Sequence, residues 1–177
     1  MRRQLPARER LLRLFDYLDE TGILIRKARP REEFNSDRDF NTWNTRWCGK
    51  EAGSYKVGGV SVEVDGERYQ VHRIIWAMKY DHVPKVIDHE DLNPHNNRIN
   101  NLREATDGQN TANGNLRKDN ITGVKGVSYN KKRKYYQAHI SVGGKTICVG
   151  RFKTIEEASL ARHNAAKGAY GEFARLC

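Results

Sequence analysis

Cysteine is scarce in this chain of 177 residues, with only Cys48, Cys148 and Cys177, odd in number and far apart. That usage fits a reducing compartment, and with no CxxC pair anywhere no structural zinc site is expected. Long apolar runs are also missing. No stretch approaches the roughly 20 apolar residues of a membrane-spanning helix. The opening MRRQLPARERLLRLF carries charges but neither the uninterrupted apolar core nor the small-residue cleavage site of a secretory signal. A soluble, cytoplasmic protein with no membrane partner is therefore expected. Apolar residues make up only 37% of the chain and the mean hydropathy is −0.85, so any core is modest. Yet 16 aromatics and regular Val/Ile/Leu patterns argue against general disorder.

Acidic residues are in short supply in one region only. Residues 117–177 hold 13 Lys/Arg against 4 Asp/Glu, whereas residues 1–116 hold 19 against 18. The overall charge of +10 is thus carried almost entirely by a small basic unit joined to a nearly neutral one. Such a unit attracts phosphate backbones in a salt-dependent way.

What is present reads as an α+β chain. PARERLLRLFDYLDETG places Leu11, Leu14, Phe15 and Leu18 at helical spacing and ends at Gly22, predicting one short amphipathic helix followed by the strand ILIRK. Residues 28–58 read as irregular. VSVEVDGERYQV alternates on both sides of Asp65-Gly66, a hairpin signal. HRIIWAMKY (72–80) predicts a short helix, VID (86–88) a strand and LREAT (102–106) a second one. Thr106 with Gln109 forms a capping box for a helix that stops at Asn113-Gly114-Asn115. After the polar linker LRKDNITG, the segments GVKGVSYN, YYQAHISV and KTICVGRF read as three strands with a Gly143-Gly144 turn. Thr154 and Glu157 cap a helix whose Ala158, Ala161, Ala165, Ala166 and Ala169, with Leu160, form a face small enough to lie closely on a sheet.

Between the two central strands lies the densest polar stretch, VIDHEDLNPHNNRINNLR, with two histidines, two aspartates, a glutamate and five asparagines in 18 residues. Asp88 offers an anionic oxygen to a hard cation, and His89 a base that titrates near neutrality. A bend is needed for these neighbours to converge, because adjacent strand residues point to opposite sides. Asn101 follows His89 by twelve residues and can bond loop backbone, and Asn110 can project from the capped helix toward Asp88. Asn93, Asn96, Asn97 and Asn100 are assigned to the scaffolding of a long polar loop. His72 is read as structural, and Arg73 and Arg103 as phosphate contacts or ordinary ion pairs.

The segment VHRIIWAMKYDHVPKVIDHEDLNPHNNRINNLREATDGQNTANGN, about residues 70–115, resembles the HNH nucleases of the ββα-metal class. The closest likeness is to the phage-type HNH homing endonucleases, with an HR-containing helix, then DH, NN..NLR, T and N. The resemblance implies that His89 is the general base for the attacking water. It makes Asp88 and Asn110 the protein ligands of one divalent metal, and Asn101 the residue that steadies the loop and orients the histidine. Hydrolysis would leave 5′-phosphate and 3′-hydroxyl ends. Many HNH proteins carry histidine as the second ligand, and asparagine at 110 favours an oxygen-loving ion, Mg²⁺ or Mn²⁺, over zinc.

The segment GVKGVSYNKKRKYYQAHISVGGKTICVGRFKTIEEASLARHNAAKGAYGEF resembles the AP2 DNA-binding domain in its GV.GVS, aromatic-Ala-x-Ile, G.F.T.EEA and A..AA...G elements. In that family a three-stranded sheet lies in the major groove, which implies Ser128, Asn130, Lys132, Arg133, Lys134, Tyr136 and His139 as groove-facing or phosphate-contacting residues. The Arg- and Trp-rich reading strand of plant transcription factors is absent, so no base preference carries over.

The expected organisation is an HNH nuclease domain over 1–115, a linker over 116–122 and an AP2-like domain over 123–177. The expected function is a metal-dependent DNA endonuclease of the homing or mobile-element kind, acting on double-stranded DNA as a monomer or weak dimer. Two alternatives are a non-catalytic DNA-binding regulator with an inert HNH fold and an RNA-binding protein. The presence of Asp88, His89, Asn101 and Asn110 together speaks against an inert copy.

Overall fold

A computed structural model describes residues 4–116 and 119–174. Cys177, and Arg117 and Lys118 of the expected linker, lie outside the described residues. The chain divides into two compact units, Met1–Glu104 and Ala105–Cys177. No helix among the described residues is long and apolar enough to cross a membrane.

The first unit opens with α1 (Arg8–Leu14), which buries Leu11 and Leu14. The helical spacing of the apolar residues continues to Leu18, but the helix does not: Phe15 is already extended and begins β1 (Phe15–Leu18). That strand pairs antiparallel with β2 (Ile23–Arg26), Phe15 opposite Arg26 and Leu18 opposite Ile23. Cross-strand pairing outweighs the local helical period here, with Gly22 taking the positive φ of the turn. The segment read as irregular contains α2 (Asp37–Trp47), whose Ser36 side chain accepts from the Asp39 N–H as an N-cap. This helix buries no residue, so it left no apolar period to read.

β3 (Ser54–Lys56), β4 (Gly59–Val64) and β5 (Glu67–Gln70) form a meander in that order. The Asp65-Gly66 turn between the last two has positive φ at both positions, as a two-residue hairpin needs. α3 (Val71–Lys79) follows at once and buries Val71, Ile74, Ile75, Trp76, Ala77 and Met78. These residues join Leu11, Leu14, Phe15, Leu24, the valines of β4 and, from β6 (Val86–His89) and β7 (Leu102–Ala105), Ile87 and Leu102 in one core. Leu11, Leu24, Ile74 and Ile75 are almost fully buried, each stabilising the unit by about 1.5–3 kcal/mol. β6 and β7 pair as a two-stranded sheet with the Asn-rich loop between them.

The second unit begins with α4 (Asp107–Asn113), capped by the reciprocal Thr106–Gln109 box. Lys125 closes its other end, the ammonium donating to the carbonyls of Thr111, Ala112 and Gly114. β8 (Val127–Asn130), β9 (Tyr135–Val142) and β10 (Lys145–Phe152) form an antiparallel sheet with β9 in the middle, and α5 (Ile155–Tyr170) covers one face. α5 carries the Thr154–Glu157 capping box. Ala158 is fully buried against Val127 and Ala138, whereas Leu160 points outward and is 62% exposed.

Candidate active site

The Asn-rich loop is a closed hydrogen-bonded structure built around Asp91. Its carboxylate accepts from the Asn93 N–H (2.8 Å), the Asn96 side chain (2.7 Å) and the Asn101 side chain (3.0 Å). Burial by itself would raise the Asp91 pKa, but the bonds from Asn96, the Asn93 N–H and Asn101, with a smaller contribution from His89, outweigh it and hold the carboxyl below its ordinary range. Asn101 spans the loop: its Nδ2 also donates to the Asn96 carbonyl, its Oδ1 accepts from the Asp91 N–H, and its carbonyl accepts from the Glu90 N–H. Asn93 and Asn96 each accept from a backbone N–H two residues on, at His95 and Arg98. These are the short-range side-chain bonds by which asparagine orders an otherwise unsatisfied connection.

The loop is fixed from outside by the β1–β2 hairpin. Tyr17 Oη donates to the Asn97 carbonyl (3.2 Å) and accepts from the Ile99 N–H (2.9 Å). Arg98 donates to the Glu20 carbonyl. Gly22 lies so close that a Cβ there would stand 2.5 Å from the Arg98 nitrogen. On the other flank His95 donates to the Lys56 carbonyl at 2.8 Å. Sequence reasoning placed Tyr17 in a helix and so missed its part in seating the loop.

β6 ends in Asp88 and His89. Asp88 is only 3% exposed, and its carboxylate accepts from Arg103 Nε on β7 at 3.0 Å, a buried ion pair. The half-buried His89 has Nε2 3.1 Å from Oδ1 of Asn97, and its ring meets the ring of His72 edge-on, centroids 5.0 Å apart. Asn97 is 2% exposed. Of the residues singled out in sequence, the structure therefore brings together Asp88, His89, Arg103 and His72, with Asn101 holding the loop beside them. Asn97, grouped with the scaffolding asparagines, has its side chain against His89. Its only sequence signal was membership of the NN pair. Arg73 donates to the carbonyls of Pro84 and Lys85 and thereby orders the entry to β6. Asn110 lies in the second unit, exposed on α4.

In the second unit, strand alternation sorts the candidates. Ser128 pairs with Gln137 and Asn130 with Tyr135, on the sheet face opposite the buried Val127 and Ala138. His139, next to Ala138 on β9, falls on that same open face, where Arg151 stacks over the Tyr135 ring at 5.3 Å. Tyr136 falls on the other face: it pairs with Tyr129 and Phe152 and packs against the Val127–Ala138–Ala158 core. Lys132, Arg133 and Lys134 are exposed in the β8–β9 turn, where Asn130 accepts from the Arg133 N–H.

The donors present suit a hard cation. Within the first unit Asp88 supplies a buried carboxylate, an oxygen ligand of the kind Mg²⁺ and Mn²⁺ take. Among the described residues there is no group of three or more His, Cys, Asp or Glu placed to hold a metal ion.

Comparison with known proteins bears on the same stretch. A family model described as HNH endonuclease matches residues 69–112. The chain is 31% identical over 107 residues to Protein 3.8 of Escherichia phage T7, covering 59% of this chain and 88% of that protein. It is 33% identical over 119 residues to an uncharacterized HNH endonuclease of Acanthamoeba polyphaga mimivirus, covering 66% of this chain and 61% of that protein. No solved structure matches.

Proposed function

This chain belongs to the HNH endonuclease family, and on that premise we propose that it is a metal-dependent DNA endonuclease of the homing or mobile-element kind, acting in phage-infected cells. The observation that carries the reading is the placement of Asp88 and His89 at the end of β6, beside a loop knitted by Asp91 and Asn101 and anchored by Tyr17.

In this reading His89 takes a proton from the attacking water. Asp88 and Asn110 would be the protein ligands of one divalent cation, which when bound would supply Lewis-acid charge at the scissile phosphate. Asn101 steadies the loop beside Asp88 and His89 through its bonds to Asp91 and Asn96. Arg103 balances the buried charge of Asp88. The products carry 5′-phosphate and 3′-hydroxyl ends. A single site per chain nicks one strand, so a double-strand break needs a dimer or a second event.

The basic second unit serves as an AP2-type anchor. Lys132, Arg133 and Lys134 hold phosphates, while Ser128, Asn130 and His139 lie on the open sheet face with Tyr135 and Gln137. Contacts of the first kind position the chain, and the second kind can read bases. Tyr136 supports that surface from its buried side.

The test is incubation with a DNA library in Mg²⁺, Mn²⁺ or EDTA, followed by mapping of the ends. Metal-dependent cutting with 5′-phosphate ends is expected. Failure to cut any DNA with either metal would favour a non-catalytic DNA-binding regulator.

A further inference from the structure

Several cations of the first unit are matched to a carboxylate: Arg10 to Glu33 and Asp65, Lys27 to Asp16, Arg29 to Glu33 and Arg31 to Asp37. Arg26, Arg46, Lys50 and Lys56 have no carboxylate within ion-pair distance among the described residues. These four are joined by an unbroken run of contacts. The guanidiniums of Arg26 and Arg46 each lie 5.0 Å from the centre of the exposed Trp47 ring at the end of α2. The Arg26 N–H donates to the Lys50 carbonyl, and its guanidinium to the carbonyl of Glu51. The Glu51 carboxylate accepts from Tyr55 Oη, the Tyr55 ring meets that of His95 with centroids 5.6 Å apart, and His95 donates to the Lys56 carbonyl. We propose that Arg26, Arg46, Lys50 and Lys56 form a ridge, stiffened by Trp47 and Tyr55, that holds the phosphate backbone of duplex DNA and leads it to the Asn-rich loop. This rests on the reading of the chain as a DNA endonuclease, and it gives the nuclease unit a phosphate-binding surface of its own.

The chemistry of the ridge points to an anion. Burial and the neighbouring Arg29 both disfavour the charge of Arg26, and Glu51 offsets only part of this, so its pKa lies below the ordinary arginine value. A phosphate beside Arg26 supplies the missing counter-charge. Glu51, the neighbour of opposite sign, has its carboxylate committed to the Tyr55 hydroxyl. A guanidinium already stacked on an indole loses less side-chain freedom when it meets a phosphate, and its planar fork can bond two oxygens at once. The rest of the helix is occupied otherwise: Phe40 and Trp43 pack on Phe34, and Arg29 lies over Trp43. Only the Trp47 end of α2 reaches the unpaired cations. A platform for single strands offers open ring faces to the bases. Here the Trp47 ring is engaged by two guanidiniums and the Tyr55 ring by His95, so the ridge presents charge, which suits the backbone of an intact duplex. The ridge ends on His95, in the loop that follows His89 in the chain.

The experiment measures binding of the full chain to a fluorescein-labelled DNA duplex of mixed sequence, in EDTA, over a range of salt. Each phosphate contact contributes about 0.9 to the slope of log affinity against log salt, so Arg46→Gln, Lys50→Gln and Lys56→Gln combined should lower it by about 3. Arg13→Gln, Arg68→Gln and Lys79→Gln combined remove as much charge from α1, β5 and α3, and should lower it by less than about 1. An unchanged slope in the first variant, or an equal fall in both, overturns the proposal. A fall confined to an RNA duplex of the same sequence overturns it too. The unaltered protein gives a second measurement that needs no variant to bind. Saturating DNA duplex should shield Trp47 from acrylamide, its share of the emission being identified with Trp47→Phe, and quenching that the duplex leaves unaffected counts against the ridge. Both readouts are separate from the chemistry. A chain that binds duplex through the ridge yet cuts no DNA with either metal would refute the nuclease reading and uphold the ridge, whereas a chain that cuts but keeps its slope in the first variant would refute the ridge alone.

Discussion

Replacing Arg103 with methionine removes the guanidinium from Asp88 while keeping most of the side-chain volume. The pair is close, with Nε 3.0 Å from Oδ2, and the two side chains are only 17% and 4% exposed. Exposure decides the magnitude. A solvated pair of this geometry would contribute about 0–1 kcal/mol, whereas removing one partner of a buried pair strands the other charge and costs about 3–5 kcal/mol. All three tryptophans, Trp43, Trp47 and Trp76, lie in the first unit, so their fluorescence follows the unfolding of that unit alone. At about 4–8 °C per kcal/mol for a domain of this size, the melting temperature of Arg103→Met in EDTA should fall by at least about 12 °C. Asp88→Asn combined with Arg103→Met should recover much of that loss, because the buried charge that Arg103 neutralises is then removed as well. Excess Mg²⁺ should narrow the gap between wild type and Arg103→Met if Asp88 is a ligand, since binding to the folded state adds stability. A fall of under about 4 °C, or single losses that simply add in the double variant, would refute the treatment of this pair as buried and coupled.

Other outcomes follow from the loop and the basic unit. The Asp91 pKa lies below its ordinary value in the folded chain, so its contribution to stability is complete above the unfolded pKa and lost as pH falls through the folded one. Protection of the Asn93 amide from hydrogen exchange should therefore fall on acidification below the usual carboxylate range, and Asp91→Ala should show low protection at neutral pH with no such step. Gly22→Ala must place a Cβ against the backbone of Arg98 and Asn97 at positive φ, and should destabilise the first unit by more than about 2 kcal/mol and slow cleavage. Gly66→Ala, with positive φ but open space, should cost only about 1 kcal/mol in the same thermal assay. Neutralising Lys132, Arg133 and Lys134 together should reduce the slope of log affinity against log salt for duplex DNA by about 3, and an unchanged slope would remove that turn from the interface.

Much of the fold was legible where local chemistry alone specifies structure. The Asp65-Gly66 and Gly143-Gly144 turns and the Thr106 and Thr154 capping boxes all stand where the sequence places them. What stayed hidden depended on distant partners. Residues 15–18 keep a helical period, but Ile23–Arg26 recruits them into a strand. α2 buries nothing, so only its Ser36 cap could have announced it. The Tyr135-Tyr136 pair is divided by Ala138, whose burial against Ala158 settles which ring faces the helix. Among five asparagines in one loop, composition cannot distinguish those that bond the backbone from Asn97, which meets a histidine eight residues away.

The role assigned to His89 is measured most directly by single-turnover cleavage of supercoiled plasmid at saturating protein with Mg²⁺ or Mn²⁺, wild type against His89→Ala. Loss of a general base costs about 10²–10⁴ in rate, so the variant should cut at least about 100-fold more slowly while binding the plasmid as tightly in EDTA. Equal cutting by the two proteins would contradict it.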